Sequence, residues 1–400
     1  MRIILLAALL VLGAGTAQAE PLTLAQALER AESVSHTLRL QRLSVEQSET
    51  EWLEDAGVGS PEIRLQLEEL GPGGSGLEPS TRVRLPIPVP WRLALARAES
   101  RAEVAREEAQ LEDLRADVRE AVRVRFYLLP IARDALAAAR SRLGHRRALR
   151  DLVEARRLEG LSTALEWLEV EEEVRDAADD VAEAASDVER VDAELRTLLD
   201  WPDDEALEPA PGDVVARARA VLDGGVVVEP SQALREAEAE ERRAALRIRE
   251  LAARAVPWLE WVQAGVRGRP GQSPEVDLGV SIEVPLEHWG PDRLRAGRSE
   301  LEVARVRRSQ VQAREERSAR RRHRAAQAAW SRWEVERDHR QSLLDNAEPM
   351  LEVADPVLAL ELRARLARSE LRVQRALASL AAAIEQVPGA GAVTPSDPAP

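Results

Sequence analysis

The segment 276–286 alternates apolar and polar residues without a break, which makes it the clearest strand prediction in the chain. Its apolar positions are Val276, Leu278, Val280, Ile282, Val284 and Leu286, and its intervening positions are Asp277, Gly279, Ser281, Glu283 and Pro285. A period of two places the apolar side chains on one face of a strand. Its length and pattern are typical of a barrel strand that crosses a bilayer with its apolar face toward lipid. The alternative is a soluble hairpin with one half-buried face.

The same succession of patterns occurs twice, roughly 200 residues apart. Each copy predicts a helix, a strand, a glycine-rich turn, a second strand and a very long helix. The first strands begin at Pro61 and Pro257, and the second strands occupy 83–91 and 276–286. The strand over 83–91 is the weaker prediction because its polar positions include prolines, which cannot donate to a β-ladder. Tryptophans that suit a membrane interface flank or begin these strands, at Trp91, Trp258, Trp261 and Trp289.

The duplication defines the expected domain organisation. We expect a first structural repeat over 20–201 and a second over 231–388, each containing a β-hairpin and a long helical hairpin. The bridge over 202–230 is rich in Pro, Asp and Gly and is predicted to be a linker with short structure. The last residues, 389–400, are expected to be a disordered tail.

The long helices carry a heptad pattern. In the first copy the apolar positions are Val174, Val181, Val188 and Leu195, followed three residues later in each heptad by Ala177, Ala184, Val191 and Leu198. The intervening positions are mostly Glu, Asp and Arg, so these residues predict a helix–helix seam. Upstream, the same spacing is found at Val104, Leu111, Val118, Leu114, Ala121 and Leu128, until Pro130 is expected to kink the helix. A two-helix coiled coil without any barrel is compatible with this pattern.

Composition agrees with a mainly α fold that has a small β part. Aromatic residues are 3% of the chain and charged residues 32%, with apolar positions dominated by Ala, Leu and Val. The net charge of −15 argues against a protein that coats nucleic acid. The chain has no Cys, which excludes thiolate metal sites, and its five His are not closely spaced. We therefore expect no metal, no cofactor and no catalytic centre.

The amino terminus resembles an export signal. Arg2 precedes an apolar run over 3–13, and Ala17-Gln18-Ala19 provides small residues for cleavage. We predict a signal peptide over 1–19, with a short buried helix as the alternative. No later stretch reaches the roughly 18 apolar residues of a membrane-spanning helix, so an inner-membrane helical protein is not expected.

At this point the chain resembles the TolC-type outer-membrane efflux channels. The matching features are the duplicated layout, the Pro that opens each first strand, the opening segment 22–28, and Val284-Pro285-Leu286 before Trp289-Gly290. The resemblance covers essentially the whole mature sequence. It implies a homotrimer whose protomers each give four strands to one twelve-stranded transmembrane β-barrel in the outer membrane. The long helices would then form a coiled-coil α-helical barrel in the periplasm.

The segment 156–168 is similar to the hairpin tip that meets the periplasmic adaptor in this family, Arg-x-x-x-Gly-Leu-x-Ser. The resemblance implies that Arg156, Gly160, Leu161 and Thr163 dock an adaptor. From the residues alone, a glycine is expected at positive φ where two helices turn, and Ser162 or Thr163 can cap the returning helix. A purely structural role for the motif is therefore equally open.

The chain also departs from the family pattern. The second tip, expected near 350–366, lacks the Arg and Gly of the first, and about ten residues are missing there. Glu348, Glu352 and Asp355 lie where members narrow their tunnel with carboxylates, although a solvated helix face is the favoured explanation of these residues. Asp200 occupies a position where many members have Gly.

These observations predict a passive outer-membrane exit duct rather than an enzyme. The implied partners are outer-membrane lipid, a periplasmic adaptor (membrane fusion protein) and an inner-membrane pump. The first strand and first tip look most like the heavy-metal efflux branch, which makes a pump of the resistance-nodulation-division type one candidate. The competing hypothesis is a soluble periplasmic coiled-coil adaptor or scaffold, and an enzyme is a remote third.

Overall fold

The computed structural model describes residues 21–55, 61–69, 77–87, 90–210, 212–226, 231–254, 257–267, 273–284 and 291–390. The predicted signal peptide, both glycine-rich turns over most of their length, and the tail from 391 onward lie outside the described residues, as does the segment 285–290.

Helices dominate the described part of the chain, as composition predicts. They are α1 (Leu24–Val34), α2 (His36–Asp55), α3 (Pro90–Leu158), α4 (Ala164–Leu199), α5 (Val214–Asp223), α6 (Gln232–Arg254), α7 (Pro291–Leu351) and α8 (Pro356–Glu385). The strands are β1 (Glu62–Glu69), β2 (Leu77–Pro86), β3 (Trp258–Arg267) and β4 (Glu275–Glu283). No helix in these described ranges has an apolar stretch long enough to cross a membrane.

The chain divides into two compact units. The sheet unit consists of His36–Leu114 and Pro230–Glu316, and the hairpin unit consists of Met1–Ser35, Arg115–Glu229 and Arg317–Pro400. Each unit draws residues from both predicted repeats. The predicted linker contributes helix α5 to the hairpin unit.

The sheet unit contains one antiparallel sheet in the order β1-β2-β3-β4. Strand β2 begins six residues before the predicted 83, and it ends at Pro86. Its early residues pair with β1, where Glu69 lies opposite Leu77 and Ile63 opposite Val83. Pairing with β1 therefore extends β2 to residues 77–82, which do not alternate apolar and polar residues. Strand β4 runs over Glu275–Glu283, and the last two residues of the predicted strand, 285 and 286, lie outside the described residues.

The hairpin unit is held by the predicted seam between α3 and α4. Val174, Ala177, Ala184, Val191 and Leu195 are buried, while Val181 and Val188 are half-buried and pack against the same clusters. Leu143 of α3 lies in one buried cluster with Val174 and Ala177. Ala139 of α3 lies in a second cluster with Ala184 and with Leu371 of α8. This confirms the heptad prediction for α4.

The upstream register of α3 differs from the prediction. Val118, Ala121 and Leu128 are half-buried, and the fully buried positions are Val122, Phe126 and Leu129. These three pack against Val191, Leu195 and Leu199 of α4 and also against Ala27 and Ala31 of α1. Because α3 meets two neighbours here, its buried face is centred between them. The helix also continues through Pro130.

A buried ionic cluster ties α8, α5 and α3 together. The carboxylate of Glu385, whose side chain is 1% exposed, accepts bonds from Arg217 at 2.5 and 3.1 Å. It also accepts a bond from Arg123 at 2.7 Å. Arg217 donates a further bond to the carbonyl of Ala390 at 2.7 Å and lies 5.7 Å from the Tyr127 ring centre. Removing one partner of such a buried pair costs about 3–5 kcal/mol, because the other charge is left unpaired.

We expect Val191→Asp to lower the melting temperature strongly, because Val191 is 2% exposed within the α3–α4 seam and a buried unpaired carboxylate is costly. Ser186→Asp is the matched control, since Ser186 is exposed on the same helix. Circular dichroism during heating measures both variants. Equal melting temperatures would contradict the seam.

A second prediction concerns pH. Burial raises the pKa of the Glu120 carboxyl and nearby Asp117 raises it further, while Arg123 and Arg322 lower it. A carboxyl with a raised folded-state pKa binds its proton more tightly in the folded chain, so stability falls as pH rises from the ordinary Glu value through the folded one. Glu120→Gln should therefore be more stable than the parent at pH 7 and lose this advantage below about pH 4.

The matched control is Glu154→Gln. A bond from Arg157 lowers the pKa of Glu154, so this carboxylate stabilises the fold at neutral pH and the variant should be less stable there. Thermal unfolding at pH 7 and pH 4 measures whether each variant is more or less stable than the parent. A Glu120→Gln variant that is less stable than the parent at pH 7 would contradict the assignment.

Candidate functional site

One face of the sheet is apolar and exposed. Across the four strands, Ile63 lies opposite Val83, Val83 opposite Ala264, and Ala264 opposite Leu278. The next row toward the hairpin turns is Leu65, Thr81, Val266 and Val276, and the row on the other side contains Leu85, Val262 and Val280. The period-two pattern of single strands thus becomes a continuous apolar surface.

The strand residues predicted to face lipid all lie on this exposed surface or directly beyond it. Val276, Leu278, Val280 and Ile282 are 64–79% exposed, and Val284, just past the end of β4, is 50% exposed. In β1, Ile63 and Leu65 are exposed to a similar extent. Contiguous apolar patches of this kind mark a surface that meets lipid or another protein.

The opposite face of the sheet is polar and rich in arginine. Its rows are Glu62, Arg84, Gln263 and Gly279; Arg64, Arg82, Gly265 and Asp277; and Gln66, Ser80, Arg267 and Glu275. The two glycines give space to large neighbours: a side chain at Gly265 would meet Arg82 at 3.1 Å, and one at Gly279 would meet Trp261 at 3.3 Å. The sheet therefore has one apolar face and one polar face.

Trp261 belongs to the polar face, and this differs from the interface position that the sequence suggested. The guanidinium of Arg84 lies 4.4 Å from its ring centre. A register shift between Leu259 and Trp261 places an extra residue, Glu260, in β3, and Glu260 accepts a bond from Ser281 at 3.1 Å. The side chains of Trp91 and Trp289 lie outside the described residues.

The first hairpin tip is a compact five-residue turn between Leu158 and Ala164. Gly160 has φ +77°, as predicted. The Leu161 amide donates to the carbonyl of Arg156 at 2.7 Å, and the Gly160 amide donates to that of Arg157 at 3.0 Å. These two bonds form a Schellman motif, which satisfies the last carbonyls of α3.

Thr163, rather than Ser162, caps the returning helix. Its hydroxyl accepts the Glu166 amide at 3.1 Å, while the Glu166 carboxylate accepts the Thr163 amide at 2.9 Å. This reciprocal capping box satisfies two amides at the start of α4. Gly160 and Thr163 thus have evident structural roles, whereas the side chain of Leu161 is 65% exposed and belongs to none of the core clusters formed by the described residues.

The tip also presents apolar side chains that the motif did not single out. Leu158, Leu165 and Leu168 are 56–77% exposed beside Leu161. In the sequence, these three leucines lie within eight residues of the turn glycine, Gly160, and most of their neighbours are charged. Arg157 is held by Glu154 at 2.9 Å and lies over Trp167 at 5.7 Å.

The second tip is shorter, with four residues between Leu351 and Pro356. Glu348, Glu352 and Asp355 are all exposed. The Asp355 carboxylate accepts the Leu358 amide at 2.9 Å and caps α8, so it has a structural role. Val353, at 86% exposure, is the most prominent apolar residue of this turn.

Left-handed backbone occurs at Asp200, where φ is +46°. This conformation explains why a glycine suits the position. Arg30 donates to the carbonyls of Leu199 and Asp200 at 2.7 and 2.8 Å and lies 4.6 Å from the Trp201 ring centre. The side chain of Arg30 in α1 therefore holds the end of α4 in place.

The described residues contain no group of three or more His, Asp or Glu side chains arranged to hold a metal ion. The candidate sites described above are surfaces: the apolar sheet face and the two hairpin tips.

No protein-family model and no curated protein matches the sequence. Solved structures do match. The CmeC outer-membrane channel of Campylobacter jejuni has a TM-score of 0.67 at 13% identity, covering 94% of this chain and 87% of that one. The outer-membrane protein VceC of Vibrio cholerae has a TM-score of 0.66 at 14% identity, covering 90% and 95%. The open MtrE outer-membrane channel of Neisseria gonorrhoeae has a TM-score of 0.60 at 15% identity, covering 90% and 88%.

These likenesses extend over nearly the whole length of both chains in each comparison. They confirm the coarser part of the predicted fold, a mainly helical chain with one small four-stranded sheet. The chain has the fold of bacterial outer-membrane channel proteins.

Proposed function

We propose that this chain is a TolC-type outer-membrane efflux channel, a passive exit duct that works with a periplasmic adaptor and an inner-membrane pump. The observation that carries the proposal is the exposed apolar face of the four-stranded sheet. A periplasmic adaptor or scaffold would leave this surface in water, which is unfavourable by about 25 cal/mol per Å² of apolar area.

The dimensions of the sheet support a membrane-spanning role. Its strands have 8, 10, 10 and 9 residues, and a tilted strand needs about 9–11 to cross the hydrocarbon core. Four strands cannot close on themselves around a channel. A homotrimer would supply twelve strands, and closure would pair the free edges of β1 and β4.

The polar face would line the lumen of such a barrel. Interior positions of membrane barrels that conduct solutes are polar and hydrated. Arg64, Arg82 and Arg84 then face water, while the aliphatic rows face lipid. The fold likeness to outer-membrane channels supports the same orientation.

The exposed leucines of the first tip support adaptor docking there. We place Leu161 at the centre of the contact, with Leu158, Leu165 and Leu168 around it. Arg156 adds a half-exposed cation, while Gly160 and Thr163 hold the turn in shape. The second tip has fewer exposed apolar residues and would contribute little to docking.

We assign Glu348 at the end of α7, with Glu352 and Asp355 of the second tip, as the candidate constriction of the tunnel. All three carboxylates are exposed, and Asp355 would combine this role with capping α8. No catalytic step is required of a duct, so the energy for transport would come from the pump.

We expect Val280→Arg to block assembly into the outer membrane. An arginine on the lipid-facing side costs about 2–4 kcal/mol at mid-bilayer. Ser281→Arg is the matched control, because position 281 points to the polar face. Membrane fractionation and the heat-sensitive oligomer band on gels measure both variants, and equal tolerance would argue against a barrel.

We expect a cysteine at Leu161 to crosslink to the adaptor and one at Val357 of the second hairpin to crosslink weakly. The chain has no native Cys, so each variant reports one position. Crosslinking in cells that express the cognate adaptor and pump measures both. A strong product from Val357→Cys with none from Leu161→Cys would reverse the assignment of the tips.

A further inference from the structure

The buried ionic cluster of Glu385, Arg217 and Arg123 has a second carboxyl group beside it. Glu120 lies three residues before Arg123 on α3, so the two side chains share one face of that helix. Glu120 is half-buried, and it forms no hydrogen bond or ion pair with any residue that the structure describes. Two carboxyl groups, one from α3 and one from α8, therefore lie beside a single guanidinium.

In the structure this guanidinium is bound to the α8 carboxylate. Arg123 donates to Glu385 at 2.7 Å, and the Arg123 side chain is 12% exposed. The bond joins α3 to the last residue of α8. Arg217 of α5 holds the same carboxylate and also the carbonyl of Ala390 at 2.7 Å, just beyond the end of α8. The position of the Arg123 side chain therefore determines whether α3 helps to hold the end of α8.

Charged groups from three helices surround the Glu120 carboxyl. They are Asp117 and Arg123 of α3, Arg322 of α7 and Glu385 of α8. Burial and the Asp117 carboxylate raise the pKa of Glu120, the two arginines lower it by less, and Glu385 raises it again. The protonated form of Glu120 is therefore favoured in the arrangement that the structure shows, in which the guanidinium is bound to α8.

We propose that Glu120 and Glu385 compete for Arg123, and that protonation of Glu120 determines which carboxyl binds it. Ionised Glu120 attracts the guanidinium along its own helix, which breaks the bond to Glu385 and releases the end of α8 from α3. Protonated Glu120 has no charge to attract Arg123, so the bond to Glu385 forms.

The proton acts here as a ligand that binds one arrangement better than the other and shifts the population toward it. Acid therefore tightens the attachment of α8 to α3, and neutral pH loosens it. The device lies within the hairpin unit, and it does not depend on the proposed channel function.

Tyr127 makes the arrangement of the cluster observable. It is the only tyrosine in the chain, it is buried one turn after Arg123 on α3, and its ring centre lies 5.7 Å from the guanidinium of Arg217. Burial raises the pKa of its hydroxyl, so the ring stays neutral in acid and at neutral pH. Tyrosine labelled with ¹³C in the ring therefore reports on this one place by NMR.

Hydrogen exchange of the purified protein in detergent tests the proposal at pH 7.5 and pH 4.5, with each rate divided by that of an unstructured peptide at the same pH. In the parent, the segment 380–390 should be about tenfold more protected at pH 4.5, because the end of α8 gains a bond between charged groups. Glu120→Gln mimics the protonated carboxyl and should show the acid level of protection at both pH values. The Tyr127 signals should move with pH in the parent and stay at the acid position in Glu120→Gln.

Two control variants should keep the pH response of the parent. Glu154→Gln removes a carboxylate of α3 that lies far along the helix and binds Arg157 at 2.9 Å. Arg322→Gln removes the exposed α7 cation beside Glu120. A response that is lost in Arg322→Gln would show that ionised Glu120 pairs with α7, and this would overturn the competition for Arg123.

Circular dichroism verifies that each protein is folded at both pH values. Equal protection of 380–390 at the two pH values in the folded parent would overturn the proposal. An undiminished pH response in Glu120→Gln would assign the response to another group and would also overturn it. Glu120→Ala is the second variant if Glu120→Gln folds poorly, and it should likewise lose the response, because Arg123 then has only Glu385 to bind.

Discussion

Water is a poor environment for the continuous apolar rows that run across the four strands, and this constraint shapes the sheet unit. The side chains that would usually cover such rows, large aromatic groups from a second layer, are scarce in this chain. In the part of the sheet whose side chains the structure describes, the strands alternate in phase, and Thr81 is the one polar residue within these apolar rows. The sheet is thus suited to a solvent that is itself apolar, and its arginine-rich reverse side is suited to water.

The hairpin unit solves a different problem, because long helices with small side chains have little apolar area per residue. Cohesion comes from a seam that repeats along α3 and α4 and from the buried carboxylate of Glu385. That carboxylate joins Arg217 and Arg123, which come from distant parts of the sequence. A charged cluster of this kind contributes little net stability compared with apolar packing but penalises misplaced helices, since any other arrangement leaves a buried charge alone.

Features with a local cause could be predicted from the sequence. The face of β4 follows from its alternation, the turn at Gly160 from the need for positive φ, and the α4 seam from its heptads. Features set by distant partners could not. Strand β2 begins at Leu77 because β1 is there to pair with it, and the buried face of α3 shifts toward Val122 because α1 packs beside α4. Trp261 faces Arg84 because Gly279 leaves room across the strand.

The first hairpin tip illustrates how shape and recognition can be separated. Its turn is defined by backbone bonds and by the exchange between Thr163 and Glu166, and none of these bonds uses the side chain of Leu161 or of the surrounding leucines. Substitutions among those leucines therefore leave the loop geometry unchanged. If this tip docks an adaptor as proposed, its outer surface can vary, and with it the partner that fits, while the hairpin itself stays the same.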